Sequence, residues 1–165
     1  MNIALIGMPG SGKSFIGKKL AEKLDYEFFE PDKILEDKYK LPLQLVLEKL
    51  GDESFLQDEA DITVANLENR SNFVASPGGR IIYNDKAMKY LRQISTIIYL
   101  RASLPTLKKR IGAAPRGIVG LAKKTFDELY AERVPLYEKW SSITINADQD
   151  TDAVIKEILK QYIRN

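Results

Sequence analysis

The stretch "IALIGMPGSGKS", residues 3–14, decides the fold. The apolar run Ile3-Ala4-Leu5-Ile6 reads as a strand, and glycines, a lysine and a hydroxyl follow it directly. Gly7, Gly12, Lys13 and Ser14 meet the spacing G-x-x-x-x-G-K-[ST]. Behind them Ile16, Leu20 and Leu24 recur every fourth residue, so the loop opens a helix. A strand, glycine-rich loop and helix in this order make a nest for phosphate. Backbone N–H groups of Gly10, Ser11 and Gly12 wrap the oxygens, and the helix N-terminus adds its partial positive charge. Lys13 is expected to reach the β- and γ-phosphates, and the Ser14 hydroxyl to join a magnesium shell. Phe15 stands where a second hydroxyl residue often follows, which removes one phosphate contact but not the site. The loop identifies a phosphate donor and says nothing of the acceptor.

Outward from the loop, short β-rich runs alternate with longer helical patterns, as a parallel sheet with crossover helices requires. The expected strands are 2–6, 27–29, 72–75, 96–100 and 143–146. Residues 52–69 read as a helix with Leu56, Ala60, Val64 and Leu67 along one stripe. Near the carboxyl end Val154, Ile155, Ile158, Leu159 and Tyr162 share a helical face. Residues 112–120 break the alternation with glycine, alanine and proline, and read either as a surface loop or as a lid that closes on the phosphate site. No repeat, low-complexity tract or linker divides the chain, so residues 1–165 are expected to form one domain.

Composition narrows the chemistry. The net charge of +2 among 165 residues argues for neither nucleic acid nor a membrane surface. No apolar run is long enough to span a bilayer, and Lys13 with its glycines interrupts the first apolar run too early for a signal peptide. The chain has no cysteine, which fits a cytoplasmic protein and excludes thiolate metal sites and disulfides. It also has no histidine, so acid–base work falls to carboxylates, lysine or tyrosine.

Further segments give the chain a family likeness. With the phosphate loop, "FFEPD" at 28–32, "GDESF" at 51–55, "SPGGR" at 76–80, Arg110, Arg116 and "ERVPLYEKW" at 132–140 resemble the shikimate kinase family of small P-loop kinases. The resemblance runs nearly the whole length. It implies an α/β P-loop kinase fold with a five-stranded parallel sheet flanked by helices and a mobile lid over about 111–122. It implies transfer of the ATP γ-phosphate, with Mg²⁺, to a hydroxyl of shikimate or a similar anionic hydroxylated metabolite. Arg110 is then placed beside the adenine and Arg116, in the lid, at the phosphates or the acceptor. Glu30 joins Ser14 at the metal, and Asp32 is the candidate base. Gly78, Gly79 and Arg133 fall to the acceptor. A small-molecule acceptor and a monomeric enzyme follow as expectations.

Four departures from the family's pattern collect around the acceptor. Relatives carry F-x-D-x-D where this chain has Phe28-Phe29-Glu30-Pro31-Asp32; positions i and i+2 of a strand share a side, so Glu30 and Asp32 are expected to converge. Asp32 also reads as an N-cap of the helix that begins after it. After Phe55, where relatives carry an acceptor-binding arginine, stands Leu56, which also fits the core stripe of its helix. The third glycine of the family's turn is Arg80, which reads either as a solvated arginine or as a replacement guanidinium entering the acceptor pocket from another element. Arg133 shares a helical stripe with Phe126, Tyr130, Tyr137 and Trp140, an odd place for a charge unless it faces a site. In the lid Gly117 follows Arg116 where proline is common, which is expected to loosen it. A kinase for another acceptor, such as a sugar acid or nucleoside, and a nucleotide-binding protein without turnover are the competing readings.

Overall fold

A parallel sheet covered on both faces needs strands that are apolar throughout rather than alternating. In the computed structural model, which describes residues 2–112, 118, 120 and 123–163, β1 (Ile3–Ile6) meets that demand, with all four residues buried. It pairs in parallel with β3 (Phe73–Ala75) on one side and β4 (Thr96–Arg101) on the other. Strands β2 (Glu27–Phe29) and β5 (Ile143–Asn146) complete the order β2-β3-β1-β4-β5, all parallel. All five expected strands are present. The β3 strand starts one residue later than expected because Asn72 takes a left-handed turn, with φ 58°.

Seven helices join or follow the strands among the described residues: α1 (Lys13–Leu24), α2 (Pro31–Tyr39), α3 (Leu43–Leu67), α4 (Asp85–Ile94), α5 (Leu104–Ile111), α6 (Phe126–Trp140) and α7 (Thr151–Tyr162). The chain enters the sheet at its centre and places its next two strands to one side and its last two to the other. The loops after β1 and β3 therefore flank a crevice at the carboxyl ends of the strands, where open α/β sheets bind ligands.

The helix read over residues 52–69 is the second arm of a longer one. An earlier arm runs from Leu43, and Gly51 breaks the helical path with φ 74°. Leu43, Val46, Leu47 and Leu50 of that first arm recur at helical spacing, and they pack with Leu35 and Phe55 in a cluster separate from the main core. The apolar stripe of the second arm is also turned. Its buried residues are Phe55, Glu59, Ala60, Thr63 and Leu67, while Leu56 and Val64 are half-buried. A stripe chosen by apolarity alone passes over Glu59 and Thr63.

The lid expected over about 111–122, with Arg116, lies outside the described residues except for Ile111, Gly112, Ile118 and Gly120. Among the described residues no helix is long and apolar enough to cross a membrane.

Helix α6 starts with a complete capping box. The Glu128 N–H donates to Thr125 Oγ1 at 3.2 Å, and the Thr125 N–H donates to Glu128 Oε2 at 2.7 Å. Thr125→Ala removes the side-chain half of that exchange and is expected to cost about 1 kcal/mol. A urea titration should show a lower midpoint at unchanged slope.

Candidate active site

The phosphate loop is shaped by positive φ angles. Gly12, at φ 93°, is the N-cap of α1 and turns the chain so that the first N–H groups of the helix face the loop. Gly7 has φ 152°, and a Cβ there would lie 2.8 Å from the Leu100 carbonyl oxygen and 2.9 Å from Ser11 Oγ. Ser11 is wholly buried, and its N–H donates to the Met8 carbonyl at 3.1 Å. Lys13 folds back over the loop, donating to the Gly7 carbonyl at 2.9 Å and the Met8 carbonyl at 3.2 Å. Burial pushes its ammonium down to about 8, against the pull of the Asp32 and Glu59 charges; Arg133 and Arg80 add to the depression.

Ser14 donates its hydroxyl hydrogen bond to Glu30, which brings two oxygen ligands together at the mouth of the loop. That set fits Mg²⁺, which prefers oxygen, keeps several waters and needs only one or two protein groups beside the substrate phosphates. Among the described residues no group of three or more acidic side chains is assembled for a metal. The fit is to a metal carried in with a nucleotide.

The strand spacing expected for Glu30 and Asp32 does not apply. Pro31 is the first residue of α2, Glu30 is its N-cap without a side-chain bond, and Asp32 lies in the first helical turn. The two carboxylates diverge: Glu30 meets Ser14, and Asp32 meets Arg80. Asp32 is therefore not the N-cap of this helix.

Between the loop after β1 and the turn after β3 lies a cavity of about 360 Å³. Gly10, Gly12, Lys13, Ser14 and Phe15 line one side; Gly78, Gly79 and Arg80 line another, with Asp32 and Ile118 at the edge. Phe15 is 57% exposed there. The two loops touch backbone to backbone: a Cβ on Gly79 would lie 2.8 Å from the Gly7 carbonyl oxygen. The Tyr137 hydroxyl donates to the Gly79 carbonyl at 2.6 Å and holds the turn from α6.

Arg80 is not solvated. It is 4% exposed, and its guanidinium carbon sits 3.9 Å from the centre of the Phe55 ring. Its Nη2 donates to Asp32 Oδ1 at 3.1 Å. Its Nε faces Glu59 Oε2 at 2.9 Å as an ion pair without hydrogen-bond alignment. Glu59 is fully buried and accepts the Gly78 N–H at 2.6 Å on its other oxygen. Burial raises the Glu59 carboxyl above its ordinary range, and Arg80 opposes that rise. Glu59 is the site residue that sequence reading missed; its signal is a carboxylate four residues after a buried phenylalanine on one helix face.

Arg133 is 1% exposed on α6, in the buried stripe with Tyr137 and Trp140. Its Nε donates to the Tyr83 hydroxyl at 3.1 Å, and its guanidinium lies 5.3 Å from the Tyr83 ring centre. Tyr83 in turn donates to Glu132 at 2.6 Å. Arg133 is not on the cavity wall itself, yet its charge is among those acting on Lys13. Arg110, from α5, donates to the Ala147 carbonyl at 2.9 Å and so tethers the loop after β5, away from the cavity. Arg116 lies outside the described residues.

The fold and the sequence have counterparts among known proteins. The family model for shikimate kinase matches residues 9–163. The shikimate kinase of Sulfurihydrogenibium sp. strain YO3AOP1 is 32% identical over 165 residues, covering 99% of this chain and 98% of its own. The shikimate kinase of Acinetobacter baumannii, solved in complex with shikimate, superposes with a TM-score of 0.88 at 27% identity, covering 99% of this chain and 93% of that one. The Aquifex aeolicus enzyme gives a TM-score of 0.83 at 26% identity, covering 100% and 98%. Matched from its phosphate loop to its last helix, this chain belongs to the shikimate kinase family of ATP- and Mg²⁺-dependent phosphotransferases with an alcohol acceptor.

Proposed function

We propose that this chain transfers the γ-phosphate of ATP to a hydroxyl of shikimate or a closely similar anionic hydroxylated metabolite. The observation that carries this reading is the shared cavity. Lys13 and Ser14 of the phosphate loop face it from one side, and Asp32 with the buried Arg80 faces it from the other. Phosphoryl transfer depends mainly on positioning and charge neutralisation, and these residues are suited to both.

In this reading Gly10, Ser11 and Gly12 offer backbone N–H groups to the phosphates, and Lys13 exchanges its loop carbonyls for phosphate oxygens. Mg²⁺ held by Ser14, with Glu30 beside it, would neutralise charge on the β- and γ-phosphates. Asp32 orients the acceptor hydroxyl and accepts its proton, a role left to a carboxylate because the chain has no histidine. Gly78 and Gly79 let the backbone approach the acceptor closely, and Arg80 and Arg133 supply positive charge for its anionic group. Arg110 serves the nucleotide base by tethering the loop at Ala147. The roles of Arg116 and the lid, charge neutralisation and exclusion of water, rest on the resemblance alone. The reading takes the chain as a monomer that acts on a small molecule in the cytoplasm, without nucleic acid or membrane.

A second acceptor is tested on a specific ground: Arg80 lines the cavity in place of the family's third glycine, while Leu56, in place of its arginine, packs against the Leu35 and Phe55 cluster instead. Release of ADP should be measured with shikimate, sugar acids and nucleosides. Turnover above the background rate with shikimate is expected; turnover with another member only would move the acceptor and keep the kinase.

Lys13→Ala is expected to lower that turnover by about 10²–10³-fold, with the far-ultraviolet circular dichroism unchanged. Full activity in that variant would defeat the reading.

The depressed Lys13 ammonium gives a pH prediction. Phosphate oxygens favour the charged form, so Mg-ATP binding must protonate Lys13 wherever it is neutral in the free protein. Proton uptake should be small at about pH 7 and approach one proton at about pH 9, and affinity should fall as pH rises through this range. Calorimetry in buffers of different ionisation enthalpy measures the uptake, and Lys13→Met should abolish it.

A further inference from the structure

We infer that Arg80 exchanges partners during the reaction: the guanidinium paired with Asp32 is the group that takes the acceptor's carboxylate, so anion binding releases Asp32 to the acceptor's hydroxyl. The inference rests on the kinase reading and concerns how Arg80 of this chain couples the two ends of the acceptor.

The three contacts of the guanidinium are not equivalent. Phe55 supports one face at 3.9 Å. Glu59 holds the Nε edge at 2.9 Å and is itself fully buried, fixed by the Gly78 N–H. Neither can leave without stranding an apolar ring against charge or a carboxylate away from water. Asp32 differs. Its side chain is 32% exposed, it stands at the cavity edge on the first turn of α2, and it holds Nη2 through one bond of 3.1 Å. Asp32 can turn to water when that bond opens, whereas the buried Arg80 needs a replacement acceptor, which an incoming carboxylate provides. Arg80 Nη1 has no acceptor among the described residues, although the residue lines the cavity. The guanidinium is thus held in place by two permanent partners and turns its Nη donors towards the cavity, where a carboxylate can take them in a two-pronged contact.

Arg80 is the shared cation of two carboxylates, and only the bond to Asp32 can be surrendered without leaving the fully buried Glu59 unpaired. An added carboxylate on Arg80 takes the place of Asp32, whose oxygen is then free to accept a hydrogen bond from the acceptor's hydroxyl. Balanced, one O–H bond of the acceptor breaks, one forms on Asp32, and the γ-phosphoryl group passes to the alkoxide oxygen with ADP leaving. A bound neutral alcohol, or water alone, leaves Asp32 paired, which guards ATP against hydrolysis.

Competition for Arg80 gives the test. The probe is cyclohex-1-ene-1-carboxylate, a ring carboxylate with no hydroxyl to receive phosphate, titrated by calorimetry against the full chain. If Asp32 competes with the probe, Asp32→Asn should tighten its binding by about tenfold. The same substitution should leave the neutral carboxamide of the probe unchanged. In a Glu59→Gln/Arg80→Met background, which removes the buried pair together so that no carboxylate is stranded, Asp32→Asn should give no tightening. Asp32→Ser serves as the second variant if Asp32→Asn does not fold. Weaker or unchanged probe binding in Asp32→Asn overturns the inference. So does tightening that persists without Arg80, because that would be the general effect of removing a negative charge. Failure of the probe to bind both the parent and Asp32→Asn overturns it as well. These titrations involve no phosphoryl transfer, so they decide the exchange separately from the acceptor screen that decides the kinase reading.

Discussion

A carboxylate taken out of water has to find partners, and the acceptor side of this molecule is arranged around that need. Glu59 is fully buried on α3, and its two oxygens reach the Gly78 N–H and the Arg80 guanidinium, both on the turn after β3. Arg80 reaches on to Asp32, at the start of α2. One charge thereby ties two helices and a sheet turn into a single wall. The same charge dictates residue 78: a Cβ there would lie 2.5 Å from Glu59 Oε1, so only glycine lets the backbone come close enough to donate. Buried ion pairs contribute little net stability when set against apolar groups of equal volume. The retention of this one is better explained by what it positions, a guanidinium at the edge of a cavity shared with the phosphate loop.

The strand, glycine-rich loop and helix of residues 3–24 are legible in the sequence because their information is local. Eight consecutive residues, 7–14, hold the glycines, the lysine and the hydroxyl, and the apolar residues on either side declare the strand and the helix. The strands were legible for the same reason, since a fully covered parallel strand announces itself as a short apolar run. The facing wall of the cavity depends on residues 32, 55, 59, 78 and 80, which meet only in the folded chain. Whether Arg80 is solvated or buried cannot be read from "SPGGR", because the answer belongs to α3. Glu59 is not legible from an apolar stripe, because the buried face of α3 includes a carboxylate and a threonine. Glu30 and Asp32 were assigned by strand geometry, while Pro31 had already begun a helix.

The two arginines differ in what holds them. Arg133 stands on α6 and is oriented by the phenol of Tyr83, whose hydroxyl passes on to Glu132 and so to the ion pair with Lys124. Its position is set by helix packing and by a hydrogen-bond chain leading to the surface. Arg80 is set by a ring and a buried charge on α3. The two guanidiniums are thus fixed by independent supports, and of the two only Arg80 lines the cavity.

The element that carries a guanidinium also decides what it moves with. Arg80 follows Gly79 directly, and Gly79 packs its backbone against the Gly7 carbonyl at the start of the phosphate loop, with Tyr137 locking the turn from the other side. The anion anchor proposed for Arg80 is thus referenced to the phosphate loop by one backbone contact rather than through a helix. Phosphoryl transfer tolerates little error in the line from donor oxygen to acceptor oxygen, and an error of about 1 Å costs about 10²-fold in rate. Fixing the acceptor's carboxylate from the same turn that touches the phosphate loop shortens the chain of parts over which such an error accumulates. The adjustable member is then Asp32, partly exposed on the first turn of α2 and bound to Arg80 by a single contact, which is the placement required of a group that must let go of one partner to take a proton from another.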